Sequence, residues 1–169
     1  MSTPWEAPSL DQSSRDAHFM REAFKEALKA YEKEEVPVGA VLVFKNKVIA
    51  RGHNQVELLQ DATAHAEMIC LTAGASQLNN WRLLDTTLYC TLEPCCMCAG
   101  AVLASRVKRL VWGAKDVRLG ANGSWIDVFS HKHPMHSLEI TSGVLELESA
   151  DLLRKFFQKK RSKAKEDAC

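Results

Sequence analysis

The apolar and polar positions along the chain change period several times, and each change marks an element. Ala17, Met20, Phe24, Ala27, Leu28 and Tyr31 recur at spacings of three and four, which predicts a helix with one apolar stripe. Ser13 or Ser14 stands where a cap is needed. Val36 to Phe44 is then almost unbroken apolar, the pattern of a strand covered on both faces. Pro37 belongs at that strand's start, where a missing N–H is tolerated. Lys45-Asn46-Lys47 predicts a tight turn, with Val48 to Gly52 returning antiparallel. Thr63 can cap a helix running through His65, Glu67, Met68 and Leu71 to about Leu78. Three more short strands are predicted over 86–91, 108–113 and 138–141. A second internal helix begins near Cys95, a glycine-containing loop spans 114–124, and a last helix starts at about Ser149. Strands interleaved with helices predict a three-layer α/β/α fold around a mixed five-stranded sheet.

The 169 residues suffice for one domain with a sizeable core, and 46% apolar with 25% charged residues is ordinary for a globular protein. We expect a loosely ordered start at 1–12, a single domain over 13–161 and a basic tail at 162–169. No apolar run reaches the roughly 20 residues that cross a bilayer. Met1 to Ser14 lacks the pattern of a secretory leader, so the expectation is no membrane and a cytoplasmic location. Net charge is only +1, yet residues 154–169 carry +5 and the rest −4. A local positive patch suits phosphate binding and equally suits a solvated helix end.

Chemistry concentrates in one split stretch. His65-Ala66-Glu67 is followed by Pro94-Cys95-Cys96-Met97-Cys98. Three of the six cysteines fall in that four-residue window, which reads as metal ligation and not as a disulfide framework. His65, Cys95 and Cys98 supply the three ligands of a catalytic zinc site, with one position left for water. Cys95 and Cys98, three residues apart, share one face of a helix. Glu67 is left over, suited to moving protons for the activated water. On a helix, positions two apart diverge by about 200°. His65 and Glu67 can therefore meet one centre only beyond the helix's end. Cys96 is read as pointing away, Cys70 and Cys90 as small core residues, and Glu93 as a local cap or ion pair. His131, His133 and His136 share no ligand spacing and read as a surface loop.

The arrangement H-x-E…P-C-x-x-C marks zinc-dependent nucleobase deaminases. With Val36-Pro37-Val38-Gly39-Ala40, Gly52-His53-Asn54, Thr91-Leu92-Glu93 and Gly120 to Ser124 around it, the chain resembles the bacterial tRNA-specific adenosine deaminases from about Arg15 to Arg161. The resemblance implies a cytidine deaminase-like fold, one Zn²⁺ per subunit, a homodimer and a tRNA anticodon stem-loop as partner. The implied reaction is hydrolytic deamination of the wobble adenosine to inosine, with Glu67 as proton carrier. The resemblance further assigns Asn54 to the target base, Asp116 to its neighbour, and Phe157, Lys160 and Arg161 to the RNA. Residue types alone leave Asn54 as a strand-end turn, Asp116 as a loop acid and Phe157 as core. His53, Cys96 and Asn122 depart from the family pattern. A free-base or nucleoside deaminase shares the zinc motif. A structural zinc module does not need Glu67.

Overall fold

The computed structural model describes residues 11–166. The expectation for 1–12 lies almost wholly outside them. Five helices and five strands follow in the order α1 (Gln12–Glu32), β1 (Gly39–Phe44), β2 (Lys47–His53), α2 (Val56–Leu59), α3 (Ala66–Leu78), β3 (Thr86–Leu92), α4 (Cys96–Ala104), β4 (Arg109–Ala114), β5 (Glu139–Thr141) and α5 (Glu146–Glu166). One sheet runs β2-β1-β3-β4-β5. β1 is antiparallel to β2 and β3, whereas β3–β4 and β4–β5 are parallel. The expected mixed five-stranded sheet is present. Alternation across the pleat sorts its core into two layers. Val41, Val43, Tyr89 and Val111 meet Phe19, Met20 and Ala23 of α1. Leu42, Leu88, Cys90 and Leu110 meet the side holding Cys70, Leu71 and Val102 of α3 and α4. Both faces are covered, which is why β1 carries no polar alternation.

The helix α1 differs from the expected stripe. Its buried face is Phe19, Met20, Ala23, Ala27 and Ala30, while Leu28 is exposed. Gly39 explains the rotation. A side-chain carbon there would collide with the backbone of Ala23 and Ala27, so helix and strand approach closely only through small residues. The cap is Asp11, which accepts from the Ser14 N–H at 2.8 Å, and not Ser13 or Ser14. Asp16, on the same buried face, is held by Arg109 at 2.6 and 2.7 Å and by Tyr89 at 2.9 Å.

Other boundaries shift for local reasons. β1 begins at Gly39, and Pro37 lies before it. α2 was not expected: four residues are too few for a period to show. α5 starts earlier and runs through Glu166, so residues 162–166 continue a helix where a separate tail is expected. α5 and α1 lie on the same sheet face, joined by Tyr31 against Phe156.

Candidate active site

All of the chemistry gathers at one end of the sheet. The parallel strands β3 and β4 finish there, and the β1–β2 pair contributes the start of one strand and the end of the other, Gly39 facing His53. Ligands in open α/β sheets favour this carboxyl-end crevice. Here it is a cavity of about 270 Å³ lined by Glu35, Val36, Val38, Asn54, His65, Glu67, Cys95, Asp116 and Leu119, among others.

Two helix starts meet at its floor. His65 is the N-cap of α3 and Cys95 the N-cap of α4, and neither makes a side-chain capping bond. The expected cap Thr63 instead bonds Asp61. Standing just outside the helix, His65 escapes the divergence that separates positions two apart, so it and Glu67 line one cavity. Gly52 sets the approach: a side-chain carbon there would lie 2.9 Å from the Cys70 amide nitrogen and against the Ala66 carbonyl. β2 and the first turns of α3 therefore touch through backbone.

His65 Nδ1 lies 3.6 Å from both Cys95 Sγ and Cys98 Sγ, and the three donors fall within 4.8 Å of one another. Zinc bonds of about 2.0–2.3 Å in tetrahedral geometry separate neighbouring N and S donors by about 3.5 Å. The donor set and its spacing fit that ion. Among the described residues no further His, Cys, Asp or Glu joins the group. Cys96 is exposed, and Cys70 and Cys90 are fully buried in the core. His131, His133 and His136 line one surface pocket, with the His133 and His136 rings edge to face at 6.4 Å, but among the described residues they form no metal-ligand group, and His136 Nε2 contacts the Val107 carbonyl at 2.6 Å.

The electrostatics favour an ion that binds thiolates. A hydrogen bond from Cys98 draws Cys95 down to about 4. The same bond, burial and the Glu67 charge drive Cys98 upwards. A coordinated cation reverses the second effect, since it deprotonates a liganding thiol outright. The hydrogen bond with Cys95 raises His65. Glu67 is 3% exposed, and burial pushes it up to about 7. It can therefore both take and return a proton near neutrality.

Two buried carboxylates frame the cavity without joining the donors. Glu93 accepts from the N–H groups of Asp116 (3.2 Å), Asn122 (2.8 Å) and Ser124 (3.2 Å), and from the Ser124 hydroxyl. It is the organiser of the 114–124 loop, neither a helix cap nor an ion pair. Gly120 packs against it, so that glycine serves space; within this loop only Gly123 has a positive φ, 106°. Asn122 accepts from the Trp112 indole at 2.8 Å, which gives this departure from the family pattern a structural partner. Glu35 is the second carboxylate, and sequence reasoning missed it. It accepts from Asn54 Nδ2 at 3.1 Å and from the N–H groups of Glu57 and Leu58. In the sequence it is marked only by standing immediately before the apolar run that opens at Val36, which says nothing of its partners.

Asn54 follows β2 and is buried in the cavity wall, and Asp116 lies on the opposite loop. The Asp116 carboxylate accepts from the Arg118 and Leu119 N–H groups. Phe157, Lys160 and Arg161 are not in the cavity. Phe157 stacks under Arg118 of the loop at 5.4 Å. Lys160 lies over the Phe156 ring at 5.6 Å, and Arg161 is exposed. His53 turns towards α1, where Lys33 contacts its Nε2 at 3.1 Å.

Comparison with known proteins agrees with this geometry. Residues 13–114 match the cytidine and deoxycytidylate deaminase zinc-binding region. The chain is 47% identical to the tRNA-specific adenosine deaminase of Bacillus subtilis, over 90% of this chain and 94% of that one. It is 53% identical to the chloroplastic tRNA(adenine(34)) deaminase of Arabidopsis thaliana over 91% of its length, but spans only 13% of that longer protein. A solved chain from work on A-to-I editing by tRNA:A34 deaminases superposes with a TM-score of 0.76 at 44% identity, covering 80% of this chain and 98% of that one.

Proposed function

This chain belongs to the tRNA-specific adenosine deaminases, and from that premise we propose that it hydrolytically converts adenosine 34 of a tRNA anticodon to inosine. The observation that carries the proposal is the meeting of a three-donor His65/Cys95/Cys98 cluster with a buried, readily protonated Glu67 at the floor of one cavity, which His65, Glu67 and Cys95 line. His65 Nδ1 and the two sulfurs would hold the ion. When bound, zinc supplies Lewis acidity and a water that ionises near neutral pH.

Everything else falls to the protein. Glu67 takes one proton from the attacking water and delivers it to N1 of adenine, then takes the second from the hydroxyl now on C6 and gives it to the amino group, which leaves as ammonia as the C6 carbonyl forms. Its burial keeps it from being a permanently charged, hydrated carboxylate. Val36, Val38 and Leu119 give the cavity apolar walls, and Asn54 presents a hydrogen-bonding edge. An anticodon loop suits such a site because its bases are already unpaired and cost little to extrude.

Phe157, Lys160 and Arg161 belong to the same proposal as an RNA-contacting rim beyond the Asp116 loop. Each phosphate contact contributes about 0.7 to the slope of log affinity against log salt for single strands. Replacing Lys160 and Arg161 by Gln should make the slope shallower by about 1.4, with turnover at saturating RNA unchanged. An unaltered slope removes both from the interface. We also propose a homodimer, read from the family resemblance; sedimentation at about twice the 18.9 kDa chain mass supports it and a monomer refutes it. The proposed location is the cytoplasm, where reducing conditions preserve the two thiols; among the described residues no helix is long and apolar enough to cross a membrane.

The reading is tested by incubating unmodified tRNA with the enzyme and analysing its nucleosides by mass spectrometry. New inosine at position 34 supports it. A tRNA pool that gains none, in the presence of active zinc-loaded protein, contradicts it.

A further inference from the structure

Glu93 stands two residues before Cys95, on the link between β3 and α4, and is 1% exposed. Its carboxylate receives four hydrogen bonds, all from the 114–124 loop. Oε1 accepts from the Asn122 N–H at 2.8 Å and the Ser124 N–H at 3.2 Å. Oε2 accepts from the Asp116 N–H at 3.2 Å and from the Ser124 hydroxyl. The next two residues hold the same loop through backbone. The Pro94 carbonyl accepts from the Ala121 N–H at 2.8 Å, and Cys95 forms a bridge with Gly120.

These attachments divide the loop. Pro94 and Cys95 grip it only from Gly120 onwards. Its earlier part, Asp116 to Leu119, supplies the two loop residues that line the cavity, Asp116 and Leu119. The Arg118 and Leu119 N–H groups turn inwards to the Asp116 carboxylate. Among the described residues, the hydrogen bond that ties this part to the segment carrying Cys95 is the one from the Asp116 N–H to Glu93 Oε2.

We infer that Glu93 is a positioning residue for substrate binding: it sets the place of the Asp116–Leu119 wall relative to the Cys95 donor, and with it the fit of the base in the cavity. Glu93 belongs neither to the donor group nor to the proton path. The inference rests on the deaminase reading given above for its substrate, whereas the tie itself stands on the four hydrogen bonds.

Glu93→Gln breaks that tie selectively. An amide has one oxygen and one NH₂. With its oxygen in the place of Oε1, it still serves the Asn122 and Ser124 N–H groups. Its NH₂ then takes the place of Oε2, where the Ser124 hydroxyl can turn and accept. Only the Asp116 N–H is left facing a donor. The reverse orientation would strand two N–H groups. The Asp116 N–H must therefore move out to water, and the wall moves with it.

Amide exchange by nuclear magnetic resonance and steady-state kinetics test this together. In the parent, the Asp116, Asn122 and Ser124 amides should exchange at least about 100-fold more slowly than in an unfolded chain. In Glu93→Gln, Asp116 should exchange at least about tenfold faster, with Asn122 and Ser124 within about threefold of the parent. KM for an anticodon stem-loop should rise about tenfold or more while kcat stays within about threefold, the pattern of binding lost without chemistry. Zinc content should be unchanged. Val43→Ala separates this from general destabilisation. Val43 is buried against α1, in the half of β1 away from Gly39, so its loss should lower Tm and leave KM within about threefold of the parent.

Unprotected amides at 116, 122 and 124 in the parent overturn the inference without any variant. It is also overturned if Glu93→Gln leaves Asp116 exchange or KM unchanged, if it loses zinc, or if Val43→Ala raises KM as much. If the parent turns over no stem-loop, the tRNA reading fails. KM is then read on whichever free nucleoside or base it does turn over, and the same exchange result decides the role of Glu93.

Discussion

Glu67→Gln is expected to keep its zinc and its RNA affinity while losing about 10²–10⁴-fold in kcat, the usual worth of a general acid–base group. The substitution preserves shape and hydrogen-bonding capacity but cannot take a proton from water. Zinc should stay because the carboxylate lies outside the His65/Cys95/Cys98 group. The loss should sit at the top of that range, since one residue serves both the attack and the departure of ammonia. The pH profile supplies the sign. Burial raises Glu67 from 4.5 to about 7, and a neighbouring cation can only lower it from there. The parent's rate should therefore fall as pH drops through a value between these limits, as the base becomes protonated. That acid limb should vanish in the Gln variant. Stopped-flow or quenched kinetics from below the ordinary value of 4.5 to above the raised value of about 7 decides it. A variant with parental kcat removes Glu67 from the proton path.

Cys98→Ala is expected to strip the metal. Losing a partner that merely supports a ligand costs about 10–100-fold in affinity, so losing a ligand should cost more than about 100-fold. Metal analysis after dialysis against a weak chelator should find one zinc per chain in the parent and little in the variant. Cys96→Ala should retain full zinc, because that side chain is exposed and outside the donor group. The opposite pattern, zinc kept in Cys98→Ala and lost in Cys96→Ala, would exchange the two assignments.

The donor residues were legible in the sequence because metal chemistry restricts both residue type and spacing. His65, Cys95 and Cys98 converge as expected, and the off-axis position needed to reconcile His65 with Glu67 exists because His65 is an N-cap. The five-stranded sheet was legible because apolar runs of strand length alternate with helical periods. The orientation of α1 was not. Spacing put Phe24 and Leu28 on the inner face with Met20 and Ala27, but the close approach at Gly39 turns Ala23, Ala27 and Ala30 inwards instead. Glu35 and Glu93 were also invisible in their roles. An acid's partners here are backbone N–H groups far along the chain, and no side-chain pattern announces them. Residues 162–166 were set apart as a tail because they carry no apolar period, yet they continue α5, which lies against Tyr31 of α1 through Phe156 and Lys159.

The central claim is that this cavity deaminates adenosine within an anticodon loop and not a free base or nucleoside. The direct measurement places the zinc-loaded protein with an anticodon stem-loop carrying adenosine at position 34, beside free adenosine, cytidine and guanine, and follows product by chromatography. The account predicts inosine in the stem-loop, lost in Glu67→Gln, with the free compounds at least about 100-fold poorer in kcat/KM because they lack the remote contacts whose binding energy orients the base. Efficient turnover of a free compound with none of the stem-loop would contradict the account, leaving a zinc deaminase of a different substrate.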